Sequence, residues 1–144
     1  MLLDTAKRLL LEHRDLADVG VPQSEAEIDV AAKSLGVTFP DSFRAYLRIW
    51  GRVSFGPSQY LGLGTNTLNV VTTTERVRRE RGLPKHFVVV CDHEGDEYVC
   101  LNTSVMSAGE CPVVIWDSPS QLVSRPRAPN FEMFLESDIL DFLA

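Results

Sequence analysis

Apolar residues recur every three or four positions through the first part of the chain and in unbroken runs through the second, so the period changes from helical to extended along the sequence. From Leu2 to Ala17 the stripe Leu2, Ala6, Leu9, Leu10, His13 and Leu16 or Ala17 predicts an amphipathic helix, stopped by Gly20 and Pro22. Ser24 and Glu27 form the S-x-x-E pattern of a capping box, in which each side chain satisfies a free main-chain N–H of the other. The helix it opens buries Ile28, Ala31, Ala32 and Leu35, with Gly36 at the position where a left-handed cap suits glycine. Pro40 begins a third helix with Phe43, Tyr46, Leu47 and Trp50 on one face and Gly51 at its end.

A glycine-rich stretch follows, with a short strand predicted at Tyr60–Leu63; Thr72 to Thr74 are N-cap candidates for a helix reaching about Arg81. The extended half then begins. The runs His86–Cys91 and Glu97–Leu101 predict a hairpin joined by the five-residue link Asp92–Asp96, and Pro112–Asp117 predicts a third strand. Ser118–Asn130, with three prolines, reads as a loop, and Phe131–Leu143 as a closing helix that buries Phe131, Phe134, Leu135, Ile139, Phe142 and Leu143. Helices, then a block of hairpin strands, then a helix define an α+β domain, with helices packed on a mainly antiparallel sheet.

Composition narrows the class. A chain of 144 residues, 44% hydrophobic and 24% charged, suffices for one domain with a real core and excludes intrinsic disorder. Residues 1–144 are therefore read as a single domain: an N-terminal helical segment over 1–22 and a core over 24–144. No apolar run approaches the ~20 residues needed to span a bilayer, and the charged N-terminus is unlike a signal peptide, so a cytoplasmic protein is expected, with no membrane partner. Cys91, Cys100 and Cys111 are odd in number and lack a C-x-x-C pair, which points to reduced thiols rather than a disulfide framework or zinc ribbon.

The net charge of −6 is unevenly distributed. Residues 1–86 carry 10 acids and 12 Lys+Arg; residues 87–144 carry 10 acids and only Arg125 and Arg127. Between Phe87 and Ser124 stand Asp92, Glu94, Asp96, Glu97, Glu110 and Asp117 without one cation. A solubilising turn and a negative patch that steers a cationic partner are both open readings of this cluster. Arg76, Arg78, Arg79, Arg81 and Lys85, interleaved with Glu75 and Glu80, lack the net excess and the stacking aromatics of a nucleic-acid surface and read as a solvated helix face.

The residues that could carry catalysis do not assemble into a motif. Cys91 and His93 with Cys100 and Cys111 could meet a metal, but strand alternation places the strand cysteines where small core residues sit. His93-Glu94 lacks the intervening residue of the zinc deaminase signature, Gly62-Leu63-Gly64 lacks the rest of a phosphate loop, and no G-x-S-x-G elbow occurs. Neither a cofactor nor a catalytic residue is expected. Trp50 and Trp116 read as core, whereas Tyr60, among glycines, reads as the exposed aromatic.

The string EAEIDVAAKSLGVTFPDSFRAYLRIWG, followed in order by YLGL at Tyr60–Leu63, FVVV, YVCLNT at Tyr98–Thr103 and GECPVVIWD at Gly109–Asp117, resembles the SUKH (Smi/Knr-like) superfamily, and among its members the bacterial YobK-type immunity proteins. The likeness runs from about Ser24 to the C-terminus. It implies an α+β fold and a protein that binds and blocks a cognate toxin, a nuclease being one such class, without turnover. A non-catalytic regulatory or scaffold role is the alternative, and an unrecognised metal-dependent enzyme the third reading. With the charge pattern, it makes Asp92, Glu94, Asp96 and Glu97 the candidate toxin contacts, with Asp117 and Tyr60 at the rim. The expected partner is a toxin with a basic surface, with no direct binding of nucleic acid.

Overall fold

The computed structural model describes residues 1–93 and 95–144. Among the described residues, five helices and seven strands follow one another as α1 (Asp4–Glu12), β1 (Ala17–Val19), α2 (Glu25–Leu35), α3 (Asp41–Trp50), β2 (Val53–Phe55), β3 (Ser58–Gln59), α4 (Val70–Arg81), β4 (Phe87–His93), β5 (Glu97–Asn102), β6 (Val113–Asp117), β7 (Leu122–Ala128) and α5 (Phe131–Leu143). The fold is α+β, as the order of periodicities predicts.

The helix signals in the first half act as chemistry requires. Ser24 Oγ accepts from the Glu27 N–H (3.2 Å) and the Glu27 carboxylate accepts from the Ser24 N–H (3.0 Å), which completes the capping box of α2. Gly36 closes that helix at φ +70°. α1 is shorter than its stripe predicts, because the chain turns after Glu12 and Ala17–Val19 leaves to pair with β2. Its entry also differs. Leu3 adopts a left-handed conformation (φ 66°) that points it into the core while Leu2 stays exposed, and its N–H is satisfied by Glu132 on α5. α4 is capped by Asn69, whose Oδ1 accepts from the N–H groups of Val71 and Thr72, and not by Thr72–Thr74.

Strands β1-β2-β3 form a small antiparallel sheet and β4-β5-β6-β7 a larger antiparallel meander. A bulge at Val90 joins them. Val89 and Cys91 pair with Cys100 and Val99, so Val90 is left over, and its carbonyl accepts from the Leu61 N–H (2.8 Å) while Tyr60 bridges Cys91. The adjoining Val89 N–H donates to the buried Thr74 Oγ1 (3.0 Å), which fixes α4 against β4. Arg78 extends the attachment by donating to the carbonyls of Leu35, at the end of α2, and of Lys85 and Phe87. One member of the arginine-rich helix therefore does structural work, whereas Arg79 and Arg81 are exposed as predicted.

The proline-rich segment after Ser118 is not a loop throughout: β7 runs through Pro126. A terminal strand needs its N–H groups on one side only, so proline is admitted there. The sheet strands β4, β5 and β6 are buried on both faces, and α5 completes the core with Phe131 and Phe134. Phe131 meets Phe43 and Tyr46 edge-on with ring centroids 5.0 Å apart in each pair. Trp116 is core as read; Trp50 is only half-buried and Phe142 is exposed at the end of α5.

Candidate functional site

Strand register assembles the acidic cluster. Because β4 continues to His93 and β5 starts at Glu97, the link is shorter than the five residues predicted, and Asp92 stands on the strand itself. Asp92 Oδ1 accepts from the Gly95 N–H (2.8 Å), and Gly95 turns the chain at φ +88°. Asp96 is exposed in the turn, and its carbonyl accepts from the Ser118 N–H (2.7 Å) across the sheet end. Glu97 lies directly opposite Asp117 on β6. Asp92, Asp96, Glu97 and Asp117 thus share one end of the four-stranded sheet; Glu94 lies outside the described residues.

Two carboxylates facing one another across adjacent strands repel, and each has its own compensation. Glu97 pairs with Arg125 of β7 (3.2 Å). Asp117 accepts hydrogen bonds from Ser120, including its N–H at 3.0 Å, which hold its carboxyl below the usual range. Asp92 borders two clefts, one of about 480 Å³ shared with Ser58, Gln59 and His93, the other of about 290 Å³ shared with Gln59, Thr73 and Arg76. Among the described residues, neither Asp92 nor Asp96 forms an ion pair. The remaining acid of the stretch, Glu110, is turned to structure: it accepts from the Ser42 N–H (2.9 Å) and Oγ (2.7 Å) at the start of α3.

Tyr60 requires a correction. It is 0% exposed, with its ring edge-on to Phe134 and its hydroxyl donating to Asp138 on α5, so it offers nothing to a partner. Burial, then the neighbouring Asp138 charge, pushes that hydroxyl upward and keeps it a donor. Arg127 neutralises Asp138 (3.3 Å) and lies 5.0 Å over the Phe134 ring. The partner that draws Tyr60 inward is 78 positions away, out of reach of any local pattern.

The sulfurs do not converge. Cys91 faces Val99, so Cys100 on the next position of β5 projects from the opposite side of the sheet, and both are buried, as is Cys111. Burial pushes the Cys91 and Cys111 thiols up to about 12 and Cys100 higher still, which leaves them protonated at neutral pH and poor nucleophiles. Ellman's reagent is expected to modify none of the three at pH 8 in the folded protein and all three in urea, at least about tenfold faster. Fast labelling of Cys91 in the native state would show its strand to be open.

A family model described as SMI1-KNR4 cell-wall matches residues 4–140, nearly the whole chain. The chain belongs to the SUKH superfamily. A crystal structure of a protein from Pseudomonas syringae pv. tomato shares the fold of this SUKH chain, with a TM-score of 0.63 over 83% of it and 88% of the other at 13% sequence identity. The family match also takes in α1, twenty residues before the resemblance read from the sequence begins.

Proposed function

We propose that this SUKH protein is an immunity protein: it binds a cognate bacterial toxin stoichiometrically in the cytoplasm and neutralises it by occupying its surface. The observation that carries the reading is the carboxylate rim at one end of the β4–β7 sheet, where Asp92 and Asp96 stand without ion-pair partners among the described residues beside a half-compensated Glu97 and Asp117. Toxins that cleave nucleic acid hold phosphate on cationic surfaces, and a negative rim competes for such a surface through long-range attraction. Family membership supports action by binding, in keeping with thiols too basic to serve as nucleophiles. No helix among the described residues is long and apolar enough to cross a membrane.

The test is co-expression with candidate toxins encoded by neighbouring genes, scored as rescue of growth, and binding kinetics of any purified pair that forms. Asp92→Lys with Asp96→Lys is expected to slow association about tenfold or more at low ionic strength, the difference from wild type narrowing as salt screens the charges. A wild-type association rate in the double variant would remove the rim from the interface. Absence of any complex with the candidate toxins, together with recovery of a host regulatory protein, would support a scaffold instead.

A further inference from the structure

We propose that the outer edge of β1 is a second docking site, which takes an extended acidic and apolar segment of a partner protein as an added strand. The register pairs Ala17, Asp18 and Val19 with Phe55, Ser54 and Val53, and continues beyond the strand where Gly56 N–H donates to Leu16 O (2.9 Å) and Gly20 N–H donates to Arg52 O (2.8 Å). In an antiparallel ladder the N–H and C=O of one residue point the same way, and successive residues alternate. Leu16, Asp18 and Gly20 therefore face β2, whereas Val19 turns its N–H and C=O outward and Ala17 only its C=O, the Ala17 N–H being taken by the Arg14 carbonyl (3.3 Å). β1 is the terminal strand of its sheet, so no strand among the described residues covers them.

A slot of about 470 Å³ opens along the same edge, lined by Leu10, Leu11, Ala17, Val19 and Trp50. Leu11 is 67% and Val19 47% exposed, large values for apolar side chains that border one cavity. Lys7 and Arg14 stand at its rim. Lys7 has only a loose contact with Asp4 (3.9 Å), and Arg14 has no ion pair among the described residues. Free main-chain groups, a pocket for alternate side chains and two cations are the elements by which a sheet edge recognises an extended peptide, and the cations set the sign of its charge.

Two comparisons within the molecule sharpen the choice of occupant. The far terminal strand of the larger sheet, β7, carries Arg125, Pro126 and Arg127, a removed donor between two charges that discourages strand addition. β1 contains no proline, and its one charge, Asp18, is held by Arg52 (2.9 Å). A second copy of this chain would set Lys7 and Arg14 against the same two cations, so self-pairing meets like charge where an acidic segment meets attraction. The site shares no residue with the carboxylate rim and stands independently of the proposed function.

The test is titration of the ¹⁵N-labelled full chain with a blocked pentapeptide, Glu-Val-Asp-Val-Glu, and with its twin carrying lysine at every acid. Saturable shift changes at the amides of Ala17 to Gly20 and at the Trp50 indole are expected, with the acidic peptide binding at least tenfold tighter. Lys7→Glu with Arg14→Glu, both on the surface, is expected to invert that preference while leaving the rest of the spectrum in place. Equal binding of the two peptides, changes centred elsewhere, or a dimer through β1 that the acidic peptide does not disperse would overturn the proposal.

Discussion

Gly62→Ala is expected to destabilise the protein by about 3 kcal/mol or more, lowering its melting temperature by roughly 10 °C or more. A Cβ at this position would lie 1.9 Å from the Gly51 carbonyl oxygen and 3.0 Å from the Arg52 Cα, so the atoms that must yield are backbone rather than the tips of side chains. They are also committed atoms. The Gly51 carbonyl accepts from the Leu63 N–H (2.9 Å), and Gly62 is itself bound on both sides, donating to Leu68 and accepting from Val70 (2.8 Å) at the start of α4. Separating the two segments would pull α4's entry away from the end of α3. Gly36→Ala is the contrasting variant: it carries a positive φ of 70° with nothing within 4 Å, so only the left-handed penalty of about 1 kcal/mol applies. Thermal melts of both variants check the account, and a Gly62→Ala protein that melts with the wild type would refute the close approach.

The second large effect is expected at Trp116. Trp116→Ala removes an indole that is 1% exposed and sits opposite Tyr98 on β5, where the two inner strands of the sheet, buried on both faces, pair, and a loss of about 3–5 kcal/mol follows. Trp50→Ala, at the half-buried end of α3, is expected to lose clearly less. Urea titrations of the two variants rank them directly, provided the dependence on denaturant keeps its slope. An inverted order would mean that the α1–β1–Trp50 slot, and not the β5–β6 layer, bears more of the stability.

Which parts of this structure could be read in the sequence follows from the range of the interactions. Ser24 and Glu27 lie three positions apart, so their cap is legible; Val113–Asp117 is buried on both faces and needs only its apolar run to declare itself. β1 and β3 are three and two residues long and exist through pairing with β2, so no period has room to appear. β7 is exposed over most of its length and contains a proline, which removes both the alternation and the composition that mark a strand. The candidate site divides the same way. Its hairpin acids are visible as a cluster, but the juxtaposition of Asp117 with Glu97 depends on register, and the Arg125 that relieves Glu97 is 28 positions away. The glycine neighbours of Tyr60 predict exposure, but the residues that enclose it belong to the last helix.

The placement of the three sulfurs reaches beyond packing. With Cys91 and Cys100 buried on opposite sides of one sheet, these two thiols cannot bridge without unfolding the strands that hold them. The β4–β5 layer thus holds no disulfide switch, and the connectivity of these two strands stays the same whatever the redox poise around them.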